Sequence, residues 1–211
     1  MMNNIREDLD RYFFLAEAES PLKKLYMVLF TQGIWATLVY RSGRYLLMNR
    51  RGNAVKVFAF KLLGMGMSIG QKFIEVTTGI SIPFAADIGP GLYIGHFGAL
   101  IVHSTVKIGA FCNLSQCVTI GEGGRAENRG APVLGDFVWV GPGAKIFGNI
   151  HIGNEVAIGA NAVVNRSLPD VAVAAGIPCN VVNYRGSRDF IRISPEALDR
   201  WKGRDDASGN A

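Results

Sequence analysis

From Leu134 onward an aliphatic residue recurs at every sixth position. Leu134, Val140, Ile146, Ile152, Ile158 and Val164 lead the hexads LGDFVW, VGPGAK, IFGNIH, IGNEVA, IGANAV and VNRSLP. A helix repeats near 3.6 residues and a lone strand near 2, so neither has this period. Six such units in one register predict a stack of short strands and turns, a β-solenoid. A second position four residues on (Val138, Ala144, Ile150, Val156, Ala162, Leu168) is also apolar in each hexad. One coil cannot bury these side chains by itself, so each gains its roughly 1.5–3 kcal/mol only when a like residue stacks above or below it. The rhythm runs backward through Ile82, Ile88, Ile94 and Leu100, slips by two, and resumes at Ile108, Leu114 and Ile120. Between Ile120 and Leu134 it is broken by GEGGRAENRGAPV, too polar and glycine-rich for a core coil, which is expected to leave the stack as a loop over 122–132.

Ahead of the repeat the pattern is helical. From Asn3 to about Glu19, Ile5, Leu9 and Phe13 with Phe14 or Leu15 fall on one side of a helix. Ser20-Pro21 restarts the chain as cap and first helical residue, a long apolar-rich segment follows from Leu22 to Met48, and a third runs from Asn53 to about Met67. The uncharged run from Leu25 to Tyr40 is interrupted by Thr31, Gln32 and Gly33 and falls short of the ~20 residues that a bilayer span needs. These helices are expected to pack on one another and cap the first coil, with peripheral membrane contact as the alternative. After Pro178 the repeat stops, residues 184–193 read as an exit segment, and SPEALDRWK has the serine, proline and early glutamate of a short helix. The end, GRDDASGNA, is expected to be disordered.

With hydrophobic residues at 49% and charged residues at 18%, the 211-residue chain is not a disordered one. Its net charge of +5 comes from basic residues scattered over the N-terminal third and the tail, without the aromatic-interleaved stripe that nucleic-acid binding needs. An anionic cofactor or an anionic membrane surface suits that charge equally well. Cys112, Cys117 and Cys179 have no metal-ligand or redox spacing, and Cys112 reads as a small buried side chain. The start, MMNNIREDLDRYFF, lacks the basic-then-apolar shape of a secretory signal, which places the protein in the cytoplasm.

Three histidines are available for chemistry. His96 sits in GLYIGHFGAL between glycines that allow close approach to the backbone. An imidazole can take a proton from a hydroxyl, the step that acyl transfer to an alcohol most needs, although a histidine filling a turn is equally compatible with the spacing. His103 and His151 read as structural. Turns such as VGPGAK and IGANAV present backbone groups in a row suited to an extended amide-containing chain, and Arg166 could meet a phosphate.

The hexads from Leu134, the segment VGPGAKIFGNIHIGNEVAIGANAVV and the closing AAGIPCNVV resemble the hexapeptide-repeat acyltransferases. Within that family, FTQGIWATLVYRSGRYLL and ISIPFAADIGPGLYIGHFGALIVHSTVKIG are similar to the serine acetyltransferase branch, including members encoded with exopolysaccharide pathways. The resemblance spans roughly Leu25 to Val182. It implies a mainly β chain: a left-handed parallel β-helix over 76–183, a helical N-terminal region over 1–75 and a C-terminal extension over 184–211. It further implies acetyl-CoA as acyl donor, no metal, and assembly as a homotrimer. By the same resemblance His96 is the general base, Pro142 and Ala160 meet the pantetheine arm, and Asn165 and Arg166 are its polar and basic pair. Proline at 142 has no N–H, so its contact could use only the carbonyl.

The chain departs from that branch at the acceptor side. The branch carries an aspartate fifteen residues before the histidine, where Ser81 stands, and another directly before it, where Gly95 stands. Its acceptor loop holds an Arg-His pair, whereas NRGAP here offers Arg129, displaced, and no histidine. Each missing group would orient the base or bind a free amino acid, so a sugar or exopolysaccharide-precursor hydroxyl becomes the expected acceptor, with serine as the alternative. A metal enzyme of the solenoid carbonic anhydrase kind would need three converging histidines, and His96, His103 and His151 lack that spacing. A non-catalytic scaffold is the remaining reading, and His96 with intact cofactor turns argues against it.

Overall fold

A computed structural model of the protein describes residues 2–126 and 129–208. The chain opens with four helices, α1 (Met2–Leu15), α2 (Pro21–Phe30), α3 (Gln32–Met48) and α4 (Ala54–Thr78). Ser20 caps α2 by accepting from the Lys23 N–H at 3.2 Å. The apolar stretch expected as one segment from Leu22 to Met48 is broken at Thr31, which is extended (φ −102°, ψ 107°) and ends α2 as it begins α3. Trp35 Nε1 donates to the Val28 carbonyl across that break at 2.8 Å, satisfying a group the helix end would leave open. α4 runs to Thr78 rather than to Met67. Gly64, Gly66 and Gly70 weaken its helical pattern in the sequence, but the helix stops only where Gly79 takes a left-handed φ of 70°.

The repeat region winds as a parallel β-helix of three sheets. Sheet A holds β1 (Ile80–Ser81), β4 (Leu100–Val102), β7 (Thr119–Gly121), β10 (Lys145–Phe147) and β13 (Val163–Val164). Sheet B holds β2 (Asp87–Ile88), β5 (Lys107–Ile108), β8 (Val133–Leu134) and β11 (His151–Ile152). Sheet C holds β3 (Tyr93–Ile94), β6 (Asn113–Leu114), β9 (Trp139–Val140), β12 (Ala157–Ile158) and β14 (Val173–Ala175), closed by antiparallel β15 (Asn180–Asn183). Each hexad lead lies inward, and Leu134, Val140, Ile146, Ile152, Ile158 and Val164 are all buried in one continuous core. In the regular part Leu134 pairs Ile152, Val140 pairs Ile158 and Ile146 pairs Val164, so one coil is three hexads.

The two-residue slip has a definite location. β4 keeps one register with both neighbours, Ile101 pairing Ser81 below and Thr119 above, and Val102 pairs the lead Ile120, so the residue that continues the series after Ile94 is Val102, eight positions on, and not Leu100 as expected. The excess therefore falls in the corner turn 95–99, where Gly98 and Ala99 take φ values of 109° and 43°. The other interruption is the loop that leaves sheet A after Gly121, with Gly123 and Gly130 bridged antiparallel at its base. Residues 127–128 at its tip lie outside the described residues.

The helices close the lower edge of the solenoid, where the first coil has no neighbour to receive its backbone groups. Tyr12 Oη accepts from Ile94 N–H at 2.9 Å and donates to Ile94 O at 3.1 Å. Tyr40 Oη does the same for Ile88 N–H and Ala86 O, at 3.2 and 2.8 Å. Asp8 accepts from Leu92 N–H at 2.8 Å and pairs with buried Arg41 at 2.7 Å, and Arg41 donates on to Ile88 O and Gly89 O. Arg11 donates to Gly91 O and Cys112 O. Burial pushes its guanidinium down to about 10, still protonated at neutral pH. α3 lies so close that a Cβ on Gly33 would stand 2.2 Å from Ile94 O.

At the other end α5 (Pro195–Ser208) extends through most of the tail expected to be disordered, and 209–211 lie outside the described residues. Trp201 explains its order: the indole packs edge-on against Phe137 at 4.8 Å, and Phe137 stacks on Phe111 at 5.6 Å.

Candidate active site

Turns of successive coils stack into columns at the three corners. At the corner between sheets C and A the turn 95–99 is followed by 115–117, 141–143 and 159–161. Hydrogen bonds run up this column: Cys117 N–H to Gly98 O at 2.9 Å, Gly143 N–H to Gln116 O at 3.0 Å, and Asn161 N–H to Pro142 O at 2.8 Å. His96, Pro142 and Ala160 thus share one edge of the solenoid. His96 is exposed, and so is Phe97 beside it. Its turn is held at both ends. Tyr12 fixes Ile94 before it, and Gly98 N–H after it donates at 2.8 Å to Thr78 O at the end of α4. A Cβ on Gly79 would stand 2.8 Å from Ala99 N, so helix and turn are in close contact there.

Two residues of this edge escaped the sequence reading. Gln116 lies between the His96 and Pro142 turns, and its Oε1 is buried with no hydrogen-bond partner among the described residues. Lys145, on the outer face of sheet A, reaches back to the corner, its Nζ donating to Thr119 Oγ1 at 3.2 Å and to Cys117 O. Both sit within ordinary hexads, and only the stacking of coils shows which corner they approach. Cys117 is exposed on the same edge, whereas Cys112 is buried and its thiol is pushed up to about 12 by that burial.

The remaining candidates lie elsewhere. Asn165 and Arg166 are exposed at the next corner, between sheets A and B, and do not line up with Pro142 and Ala160 within this chain. The Pro142 carbonyl, expected as the only group that residue could offer a cofactor, receives the Asn161 N–H instead. Arg129 belongs to the same A/B corner, and its Nε donates to Glu122 at 2.5 Å, holding the Glu122 carboxyl below its ordinary range. His103 Nε2 faces that carboxylate at 3.8 Å, and its Nδ1 lies 3.0 Å from Thr105 Oγ1. Ser81 donates to Glu75 Oε1 at 2.9 Å and makes no hydrogen bond to His96. Burial raises the Glu75 carboxyl, but hydrogen bonds from Lys72, Ser81 and Gln71 outweigh it and leave the group below its ordinary value. Gly95 adds no side chain to the turn. Within one chain, then, His96 and Arg129 stand at opposite sides of sheet A.

Among the described residues no three His, Cys, Asp or Glu side chains stand together as a metal site. A cavity of about 490 Å³ lies under α5, lined by Phe137, Glu155, Arg188, Ile193 and Trp201, at the corner between sheets B and C and apart from His96.

The sequence profile of bacterial transferase hexapeptide (six repeats) matches residues 131–166. The serine acetyltransferase of Staphylococcus epidermidis strain RP62A is 31% identical over 89% of this chain and 82% of its own length. The chain belongs to the serine acetyltransferase family of hexapeptide-repeat acyltransferases. The serine acetyltransferase of Synechococcus elongatus is 39% identical over 57% of this chain, and the match spans about half of that relative, 48%. A solved serine acetyltransferase in complex with CoA is 29% identical and superposes with a TM-score of 0.65 over 85% of this chain and 70% of its own. In this family the solenoid is a left-handed parallel β-helix, and the three sheets described above are that fold.

Proposed function

We propose that the protein is an acetyl-CoA-dependent O-acetyltransferase with His96 as general base. The observation that supports this most directly is the shared edge: an exposed histidine on an enlarged, doubly anchored turn, with Gln116, Pro142 and Ala160 stacked above it. The CoA complex of a structural relative supports the donor. In the reaction the His96 imidazole takes the proton of the acceptor hydroxyl while its oxygen attacks the thioester carbonyl carbon. The tetrahedral oxyanion collapses, the C–S bond breaks, and the thiolate leaving group takes the proton back from the imidazolium. A homotrimer, which the family resemblance implies, would set the A/B corner of one protomer beside the C/A corner of the next and bring Arg129, Asn165 and Arg166 toward His96.

The names of the relatives favour L-serine as acceptor. A carbohydrate hydroxyl is the second reading. It is favoured by this chain's own residues: Ser81 is bonded to Glu75, Gly95 is bare, and Arg129 is bonded to Glu122, so the groups that would grip an amino acid are absent or engaged. The test is thiol release from acetyl-CoA with L-serine, and separately with nucleotide-sugars and oligosaccharides, beside His96→Ala. Saturable turnover with serine that the variant loses by about a hundredfold or more establishes the first reading. His96-dependent turnover with carbohydrate alone establishes the second, and turnover that survives His96→Ala refutes the general-base role.

A further inference from the structure

Between Ser20 and Ile74 the chain carries nine basic residues and no acidic one, although the whole chain is only +5. Arg41, Arg44 and Lys72 are paired with Asp8, Asp87 and Glu75, and the other six, spread over α2, the α3–α4 turn and α4, are exposed. The same stretch exposes its apolar side chains. On α4, Val55, Phe58, Leu62, Met65, Ile69 and Val76 are 57–78% exposed and spaced by threes, fours and a seven, which places them on one stripe. By the 100° helical step Lys61 and Lys72 fall along one border of that stripe. α2 has no buried residue, and Leu22, Leu25, Tyr26, Leu29 and Phe30 are all exposed. A groove of about 360 Å³ between α3 and α4 is lined by Leu47, Phe60 and Met65 together with Arg50 and Lys61. A contiguous apolar stripe of this kind is a contact surface in a folded protein.

We propose that α4 lies flat on the surface of an anionic phospholipid bilayer, its apolar stripe at the acyl boundary and its lysines on the lipid phosphates. The charge decides the occupant. Two copies of this face would set like charges against each other, and the one carboxylate of α4, Glu75, is already engaged by Lys72, Gln71 and Ser81, whereas an anionic lipid surface complements both features. The contact is peripheral: among the described residues no helix is long and apolar enough to cross a membrane.

The test is sedimentation of the whole protein with vesicles of phosphatidylcholine alone and of phosphatidylcholine with phosphatidylserine at about a third, at low and high salt. Binding should require phosphatidylserine and weaken with salt. The variants Leu62→Asp/Ile69→Asp and Lys61→Glu/Lys72→Glu should each bind about tenfold or more weakly while keeping the wild-type circular dichroism spectrum and melting curve. These side chains are exposed, so their replacement leaves the core intact. Equal binding to neutral vesicles, binding unchanged in both variants, or no binding at all overturns the proposal. A fall in the variants' oligomeric mass by analytical ultracentrifugation also overturns it, since the stripe would then be covered by a second copy.

Discussion

Replacing Tyr12 by phenylalanine removes one oxygen and leaves two buried backbone groups without their partner. The tyrosine is 2% exposed, and its hydroxyl answers both Ile94 N–H and Ile94 O on a strand edge with no coil beneath it. Each such group costs about 1–3 kcal/mol when buried unpaired, so the variant should lose roughly 2–6 kcal/mol. At about 2–4 °C per kcal/mol for a chain of this size, the melting temperature should fall by roughly 4–24 °C. A second effect follows from position, because Ile94 is the last fixed residue before the His96 turn: kcat should fall about tenfold or more while KM for acetyl-CoA changes little. The pH dependence distinguishes the hydroxyl from mere packing. Burial raises the Tyr12 phenol above its ordinary value of 10.0, so the fold favours its neutral form. That contribution is complete below pH 10 and is lost as pH rises from there toward the folded value, so the gap between wild type and variant should narrow in alkali. Differential scanning calorimetry from pH 7 to 11 with steady-state kinetics reads all three. A melting temperature within about 1 °C of wild type, with kcat unchanged, refutes the assignment of Tyr12 as the edge partner.

Other positions give independent checks. Ile146→Ala opens a hole in a fully buried column between Ile120 and Val164 and should cost about 2–5 kcal/mol in urea unfolding. Gln116→Leu removes a buried unpaired oxygen, so stability should hold or rise by up to about 1 kcal/mol; if Gln116 contacts substrate, turnover should drop at the same time, and kinetics beside the melt separates the two. Arg188 hydrogen-bonds Glu155 and, against a smaller desolvation effect, holds its carboxyl below the ordinary value. That contribution is present at pH 7 and lost as pH falls through the lowered value, so Glu155→Gln should be less stable than wild type at pH 7 and equal to it near pH 2–3 in acid unfolding curves.

The solenoid was legible because its core repeats with the chain. Every hexad lead from Leu134 to Val164 is inward, and the two-residue slip corresponds to a physical object, the enlarged corner that holds His96, although it falls before Leu100 and not after it. The helices were legible as helices but not in their limits. Thr31 looks like an ordinary helical residue until the Trp35 to Val28 bond closes the break, and α4 hides its length behind three glycines. The site was legible only in part, since a hexad position does not reveal its corner. Arg166 follows Ala160 by six residues, a full side of the triangle, and so belongs to a different edge. Gln116 and Lys145 were missed for the same reason, their significance lying in the turn one coil away.

Closing the edge and placing the base are one structural problem in this molecule. The first coil must have its outward N–H and C=O groups answered, and the residues that do so on sheet C (Asp8, Arg11 and Tyr12) attach to Gly91, Leu92 and Ile94, immediately before the His96 turn. α4 ends against the other side of that turn, at Gly98. A change in how α1 or α4 is seated should therefore reach His96 without passing through the core of the solenoid, whose inward columns are packed from coil to coil. If α4 rests on a bilayer along its apolar stripe, the same rigid helix ends on the His96 turn, so vesicle binding and turnover should be coupled. The decisive comparison is acetyl transfer with and without anionic vesicles, in wild type and in Lys61→Glu/Lys72→Glu. A vesicle effect on kcat that the charge-reversed protein lacks would establish the coupling, and identical rates in all four conditions would show that α4 positions the turn only as a rigid strut.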